Sequence, residues 1–349
     1  MKTFIAGLAL LLAIGIVLPA TAAGPAPAKP AAVKSLPVTP QAKPAPAKTA
    51  KATPAPKPSG VQTSRDLVYA TAPRPLTLDL YQPPRAPNDF PKPLVIFVHG
   101  GGWNSGDSRN GGGFNDFPAV LTSVAAQGYV VASINYRFSG EAHFPAAVQD
   151  AKRAVRWLRA HAADYNIDTT RVAIWGEEAG GQIAGLVGTG CGVSSLEPEG
   201  PRDDNAPSDC VQAVIDWHGI SDLAGMIVGD DGKPLPVPTS VGAYLGCEPA
   251  SCEPGTVRSA SPMSYIGPNT PPFLIQHGSH KTVPLAQSQK LFDALRLAHT
   301  PVAYVTYADG ETDVAKRAME KIAEFLGQTF PRKPIDKKPP AITSKALPY

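Results

Sequence analysis

Beyond residue 23 the chain has no apolar stretch long enough to cross a membrane, no cysteine before Cys191 and no histidine after His299. The first absence excludes a bundle of membrane-spanning helices, which would need several runs of roughly 20 apolar residues. The second gives no support to a lipid-anchored form, because no thiol lies near the start of the chain. Acidic residues are also missing from 24–60, and 331–349 holds only Asp336. These segments are dominated by Pro, Ala and Lys, with little that can be buried, so extended, disordered arms are expected at both ends. The formal net charge of +3 comes from the arms, since the residues between them hold more acids than bases. Without aromatic interleaving or a recognised motif, the basic balance does not point to nucleic acid. Weak contact with an anionic cell envelope is the interaction such arms suit.

The start of the chain has the form of a secretory signal over residues 1–23. Lys2 supplies the positive charge, Phe4 to Leu18 the apolar run, and Ala20, Ala22 and Ala23 the small residues at the cleavage site. At about 15 residues the run falls short of a membrane helix. Cleavage is therefore expected over retention as an anchor, giving an exported protein, periplasmic or secreted. Cys191, Cys210, Cys247 and Cys252 are even in number in such a chain, and disulfides follow. Three pairings are formally open. The short Cys247 to Cys252 spacing favours that pair, with Cys191 and Cys210 as the remainder. No histidine is spaced beside them as a zinc site requires.

Between about Arg65 and Phe330, short apolar runs alternate with helical patterns. Leu76, Leu78 and Leu80 alternate with Thr77 and Asp79, as in a half-buried strand. Leu94 to Val98, Tyr129 to Ile134, Val172 to Trp175, Val211 to Ile215, Phe273 to Ile275 and Val302 to Val305 have the continuous apolar character of buried parallel strands. Val148, Ala151, Val155 and Leu158 recur on one helical face, as do Leu291, Phe292 and Leu295, and then Val314, Ala318, Ile322 and Phe325. The expectation is one α/β domain over 61–330, a mostly parallel twisted sheet with helices on both faces. Residues 24–60 form the linker and 331–349 the tail.

Two turns carry the chemistry. His99, Gly100, Gly101, Gly102 and Trp103 follow a buried strand, and glycines there let backbone N–H groups turn toward a ligand, as in an oxyanion hole. Gly176, Glu177, Glu178, Ala179, Gly180 and Gly181 follow the predicted strand Val172 to Trp175 and open a helix. In that context a nucleophile elbow reads GxSxG, and the central position is Glu178. On these residues the chain resembles esterases of the HGGGW type, the family of feruloyl, acetylxylan and other carboxylesterases. The likeness runs from about Leu76 to Phe330 and includes Tyr136, Arg137, Phe144, Pro145, Asp150, Trp157, Leu158, Asp216 to Leu223 and Ala260 to Pro262.

The resemblance implies an α/β-hydrolase fold with no cofactor or metal, an oxyanion hole at Gly101, Gly102 and Ala179, and a Ser–Asp–His triad. Each triad position departs from it. Glu178 replaces the nucleophile. The acid loop reads His277, Gly278, Ser279, His280, Lys281, Thr282, Val283, Pro284, one residue short and without Asp. Thr312, in the stretch Asp309 to Asp313, is the best match to the base. Nucleophile, base and orienting acid act as a unit, so each loss alone is severe. The expected protein is a pseudo-esterase binding a small ester, phenolic or carbohydrate-like ligand. Two other functions stay open: an atypical hydrolase using Glu178 with His280, partnered by Glu311 or Asp313, and a structural envelope protein acting through its arms.

Overall fold

The computed structural model describes residues 60–331, apart from 72, 88, 112–113, 199–205, 229–232, 234–237, 279–281 and 309–312. All of these belong to the second of the chain's two units, Ala55–Tyr349. The expected signal segment, the linker up to residue 59 and the tail from residue 332 lie outside the described residues. Among the described residues no helix is long and apolar enough to cross a membrane.

Eight strands form one sheet: β1 (Gln62–Ala70), β2 (Leu76–Gln82), β3 (Lys92–Val98), β4 (Val130–Ile134), β5 (Ile167–Glu177), β6 (Ala213–Trp217), β7 (Phe273–His277) and β8 (Val302–Thr306). Their order is β1-β2-β4-β3-β5-β6-β7-β8. β2 pairs antiparallel with β1 and β4, and every pairing from β4 through β3 to β8 is parallel. The interior strands have the apolar runs that parallel strands covered on both faces need. β4 is buried throughout, and β3 is buried except at Lys92.

The helices are α1 (Phe117–Ala126), α2 (Ala146–Ala160), α3 (Ala162–Tyr165), α4 (Ala179–Thr189), α5 (Ala224–Ile227), α6 (Thr239–Leu245), α7 (Pro254–Ser259), α8 (Leu285–Leu297) and α9 (Val314–Thr329). One core joins Ile96, Val98 and Ile174 of the sheet to Val148, Ala151, Val155 and Leu158 of α2, Ile183 and Leu186 of α4, and Leu291 and Leu295 of α8. The other joins Val95, Phe97 and Trp175 to Phe117 and Leu121 of α1 and to Ala318, Ile322 and Phe325 of α9. Helices thus cover both faces, and the expected fold class is the observed one.

Three strand expectations shift. β5 begins five residues before Val172, and β6 runs Ala213–Trp217, two residues later than its apolar run suggests. β2 is not half-buried: Asp79 is fully buried beside the leucines. Arg109 explains this, since its Nε and Nη2 donate to the two Asp79 carboxylate oxygens at 2.7 and 3.1 Å, and Asp66 N–H adds a third bond at 2.9 Å. A buried carboxylate is tolerated when charged and polar partners replace its water. Such partners leave no trace in the apolar pattern.

Both expected disulfides are present, Cys191–Cys210 and Cys247–Cys252. The first closes the excursion between α4 and β6. Lys152, fully buried on α2, anchors the same excursion by donating to Gly190 O (3.0 Å), Glu197 (2.9 Å) and Asp209 (3.1 Å).

Candidate active site

The carboxyl ends of β3, β5, β6 and β7 converge where open α/β sheets place their ligands. After β3 the backbone turns through left-handed conformations at Gly101 (φ +95°), Gly102 (φ +60°) and Trp103 (φ +58°). A Cβ on Gly101 would meet Ser105 O at 2.3 Å, so no other residue fits there. Side chains behind the turn lock it. His99 is buried, its ring stacked on Tyr136 at 4.4 Å, and its Nδ1–H donates to Gly100 O at 2.8 Å. Tyr136 O–H donates to His99 O at 3.0 Å. Burial holds the His99 imidazole down at about 4. Trp103 stacks on Tyr244 at 4.3 Å and donates its indole N–H to Gln182 Oε1 at 3.0 Å.

The turn behind Tyr136 is held in its own way. Asp150, fully buried on α2, accepts Arg137 Nε and Nη2 at 2.8 Å each and Arg137 N–H at 3.0 Å. These are the residues whose pattern carried the family resemblance, and their work is structural.

After β5 the chain makes a sharp strand-to-helix turn. Glu178 stands at its tip with φ 53° and ψ −112°, immediately before α4. Such a conformation costs a non-glycine residue about 1–3 kcal/mol and persists only where its surroundings impose it. Here Glu178 N–H donates to Trp217 O at 2.9 Å, and Glu178 O accepts Gln182 N–H at 3.1 Å. A Cβ on Gly180 would lie 2.1 Å from Val98 O, so this glycine lets α4 pack directly on β3 and brings the two turns together. The consequence is one contact: Gly101 N–H donates to Glu178 Oε2 at 3.0 Å. The carboxylate lies flush against the glycine turn, since a Cβ on Gly100 would be 3.1 Å from that oxygen. Of the residues expected at the hole, Gly101 touches Glu178, Gly102 continues the same turn, and Ala179 is the first residue of α4.

His280, Lys281 and Thr312, expected on the former acid and base loops, lie outside the described residues, as does Glu311. The His277 that opens the acid motif is buried: Ser288 O–H donates to its Nδ1 at 2.7 Å, and its Nε2–H donates to Val283 O at 3.2 Å.

Sequence reasoning gave no role to three groups at this end of the sheet. Asp216, fully buried in β6, accepts Gly219 N–H at 2.6 Å, and burial pushes its carboxyl up to about 7. His218, with φ 55°, packs its half-buried ring 4.9 Å from His277. Ser240 of α6 lines the glycine turn, its Oγ 3.3 Å from the place of a Cβ on Gly102. The signals for the first two are their place in the Asp216 to Leu223 stretch of the family likeness and their position at the end of an apolar strand.

The sheet, the glycine turn and the strained elbow together define an α/β-hydrolase of the esterase kind. The chain belongs to the BD-FAE family, whose model matches residues 78–295. It is 29% identical to Esterase LipQ of Mycobacterium tuberculosis strain H37Rv over 78% of its own length and 63% of that protein's. Among solved structures it is similar to the bifunctional GH43-CE of Bacteroides eggerthii, with TM-score 0.67 and 27% identity over 77% of this chain and 38% of the other. A truncated carbohydrate esterase from gut microbiota shares the fold, with TM-score 0.66 and 24% identity over 79% and 98% of the two chains. The chain thus spans less than two thirds of LipQ and of the bifunctional protein.

Proposed function

We propose that this chain is an exported pseudo-esterase: it keeps the cleft of its family as a binding site for a small ester, phenolic or carbohydrate-like ligand and does not hydrolyse esters. The observation that carries this reading is the Gly101 N–H to Glu178 Oε2 bond. Acyl transfer needs an amide donor aimed at an oxygen that becomes negative in the transition state. A carboxylate already on that donor competes for it and repels the developing charge. The elbow also lacks the hydroxyl that would attack. The named relatives are esterases, and the departure at the elbow separates this chain from that chemistry. Export is supported by the two disulfides, which persist in oxidising compartments.

The rival reading makes Glu178 a carboxylate nucleophile with His280 as base. Intact-mass measurement after incubation with phenyl acetate and with a chloroalkane, beside His280→Ala, separates the two. The pseudo-esterase returns an unmodified mass. An adduct on Glu178, or turnover that disappears with His280, establishes the rearranged hydrolase instead.

A further inference from the structure

We infer that Glu178 is a permanent isostere of an acylated serine, and that the cleft therefore selects the free alcohol half of an ester over the ester itself. This rests on the pseudo-esterase reading and names the ligand class of the same site. An acylated serine and a glutamate match bond for bond. In an esterase of this fold the elbow serine is acylated during turnover, and the acyl carbonyl oxygen rests on the hole's amide donors. From the elbow Cα that ester runs Cβ, Oγ, carbonyl carbon, carbonyl oxygen. A glutamate runs Cβ, Cγ, Cδ, Oε, with the same number of bonds and the same trigonal carbon at the third step. A serine hydroxyl alone ends two atoms short of the carbonyl-oxygen position, and an aspartate ends one short.

The geometry bears this out at each step. The backbone at residue 178 has the strained φ 53°, ψ −112° of a strand-to-helix elbow, held by main-chain bonds to Trp217 and Gln182. From that origin Oε2 reaches Gly101 N–H at 3.0 Å, the donor assigned to an acyl oxygen. The carboxylate lies 3.1 Å from where a Cβ on Gly100 would be, close against the turn. An incoming ester's carbonyl oxygen must compete with Oε2 for the Gly101 N–H. The alcohol side is different, because after acylation an esterase has released its alcohol and that part of the cleft accepts a hydroxyl group. A hydroxyl donor meeting a fixed carboxylate makes a charge-assisted hydrogen bond, and Ser240 adds a hydroxyl beside the glycine turn. The class of ligand is a sugar or phenol carrying a free hydroxyl.

The test uses the whole chain and paired probes, phenol with phenyl acetate and methyl β-xyloside with its acetate, titrated by calorimetry. The wild type binds each alcohol at least about tenfold more tightly than its ester, a gap of about 1.4 kcal/mol. Glu178→Gln, of equal length, keeps the order, while Glu178→Ser opens the hole and reverses it. The Gly101 amide proton, followed by NMR, stays near its wild-type shift in Glu178→Gln and moves in Glu178→Asp, which cannot reach. Equal or inverted binding by the wild type, no saturable binding of either alcohol, or an amide indifferent to Glu178→Asp overturns the inference. Hydrolysis of phenyl acetate by the wild type overturns the pseudo-esterase reading on which it rests.

Discussion

The turns after β3 and β5 meet where Gly101 N–H donates to Glu178 Oε2, yet they differ in how closely they follow the pattern of the family resemblance. The first has the full pattern, His99 to Trp103, while the second has the elbow's strained backbone and its glycines with Glu178 at the central position. The difference follows from what each contributes. An oxyanion hole is made of main-chain amides, and those amides are placed by groups that also hold the fold: Tyr136 on His99, Gln182 on Trp103, Asp150 on Arg137. It cannot be erased by side-chain change without cost to stability. The elbow position carries a half-buried side chain at the tip of a turn, and the fold does not depend on its chemistry.

The largest expected effect tests the shared scaffold. Gly180→Ala places a methyl 2.1 Å from Val98 O, a backbone atom that cannot turn aside, and should abolish soluble, folded protein. A cooperative melt near the wild-type Tm would show that the close packing of α4 on β3 is not required.

Legibility in the sequence divides along the same line. The fold, both turns and the two disulfides were readable because they rest on apolar periodicity, on glycines at fixed offsets and on an even cysteine count. Position 178 was readable because the elbow motif isolates a single residue. What escaped were polar groups buried by distant partners. Asp79 looked solvent-facing until Arg109 was seen to cover it, and β1 escaped because an edge strand exposed along much of its length carries little apolar signal. Asp216 and His218 stood in the stretch of family likeness, but their burial was not legible because their surroundings come from β7 and the start of α4, far away in sequence.

Next in size is the support behind the glycine turn. Asp150→Ala strands Arg137, which is largely buried, and should cost about 3–5 kcal/mol in a denaturant titration, as the loss of one partner of a buried pair does. A change below about 1 kcal/mol would place the locking of this turn elsewhere.

A smaller effect concerns pH. Asp216 titrates at about 7 in the fold against 3.8 ordinarily, so its contribution to stability is complete below pH 3.8 and is lost as pH rises toward 7. His99 titrates at about 4 against 6.5, so its contribution is complete above pH 6.5 and is lost as pH falls toward 4. The two slopes oppose each other across the same window. Asp216→Asn, which can still accept the Gly219 N–H, should leave the His99 slope exposed, with stability rising between pH 4 and 6.5 more steeply than in the wild type. An unchanged slope in melts across that range would contradict the burial assigned to Asp216.

The smallest expected effect is on catalysis at the elbow alone. Glu178→Ser supplies a hydroxyl without base or acid, and its ester hydrolysis should stay at background. Gain of activity should need Ser at 178 together with Thr312→His and an Asp inserted between His280 and Lys281. Esterase-like turnover by the single variant would mean that base and acid are supplied by residues not recognised in the sequence.

The most direct test of the central claim is steady-state hydrolysis of a short p-nitrophenyl ester series and methyl ferulate by the purified wild-type chain. With the Glu178 carboxylate on the Gly101 amide, product release should match buffer at every substrate concentration and show no saturation. Saturable turnover by the wild type that is lost in Glu178→Gln would contradict the account, because the residue held to block the chemistry would then be performing it.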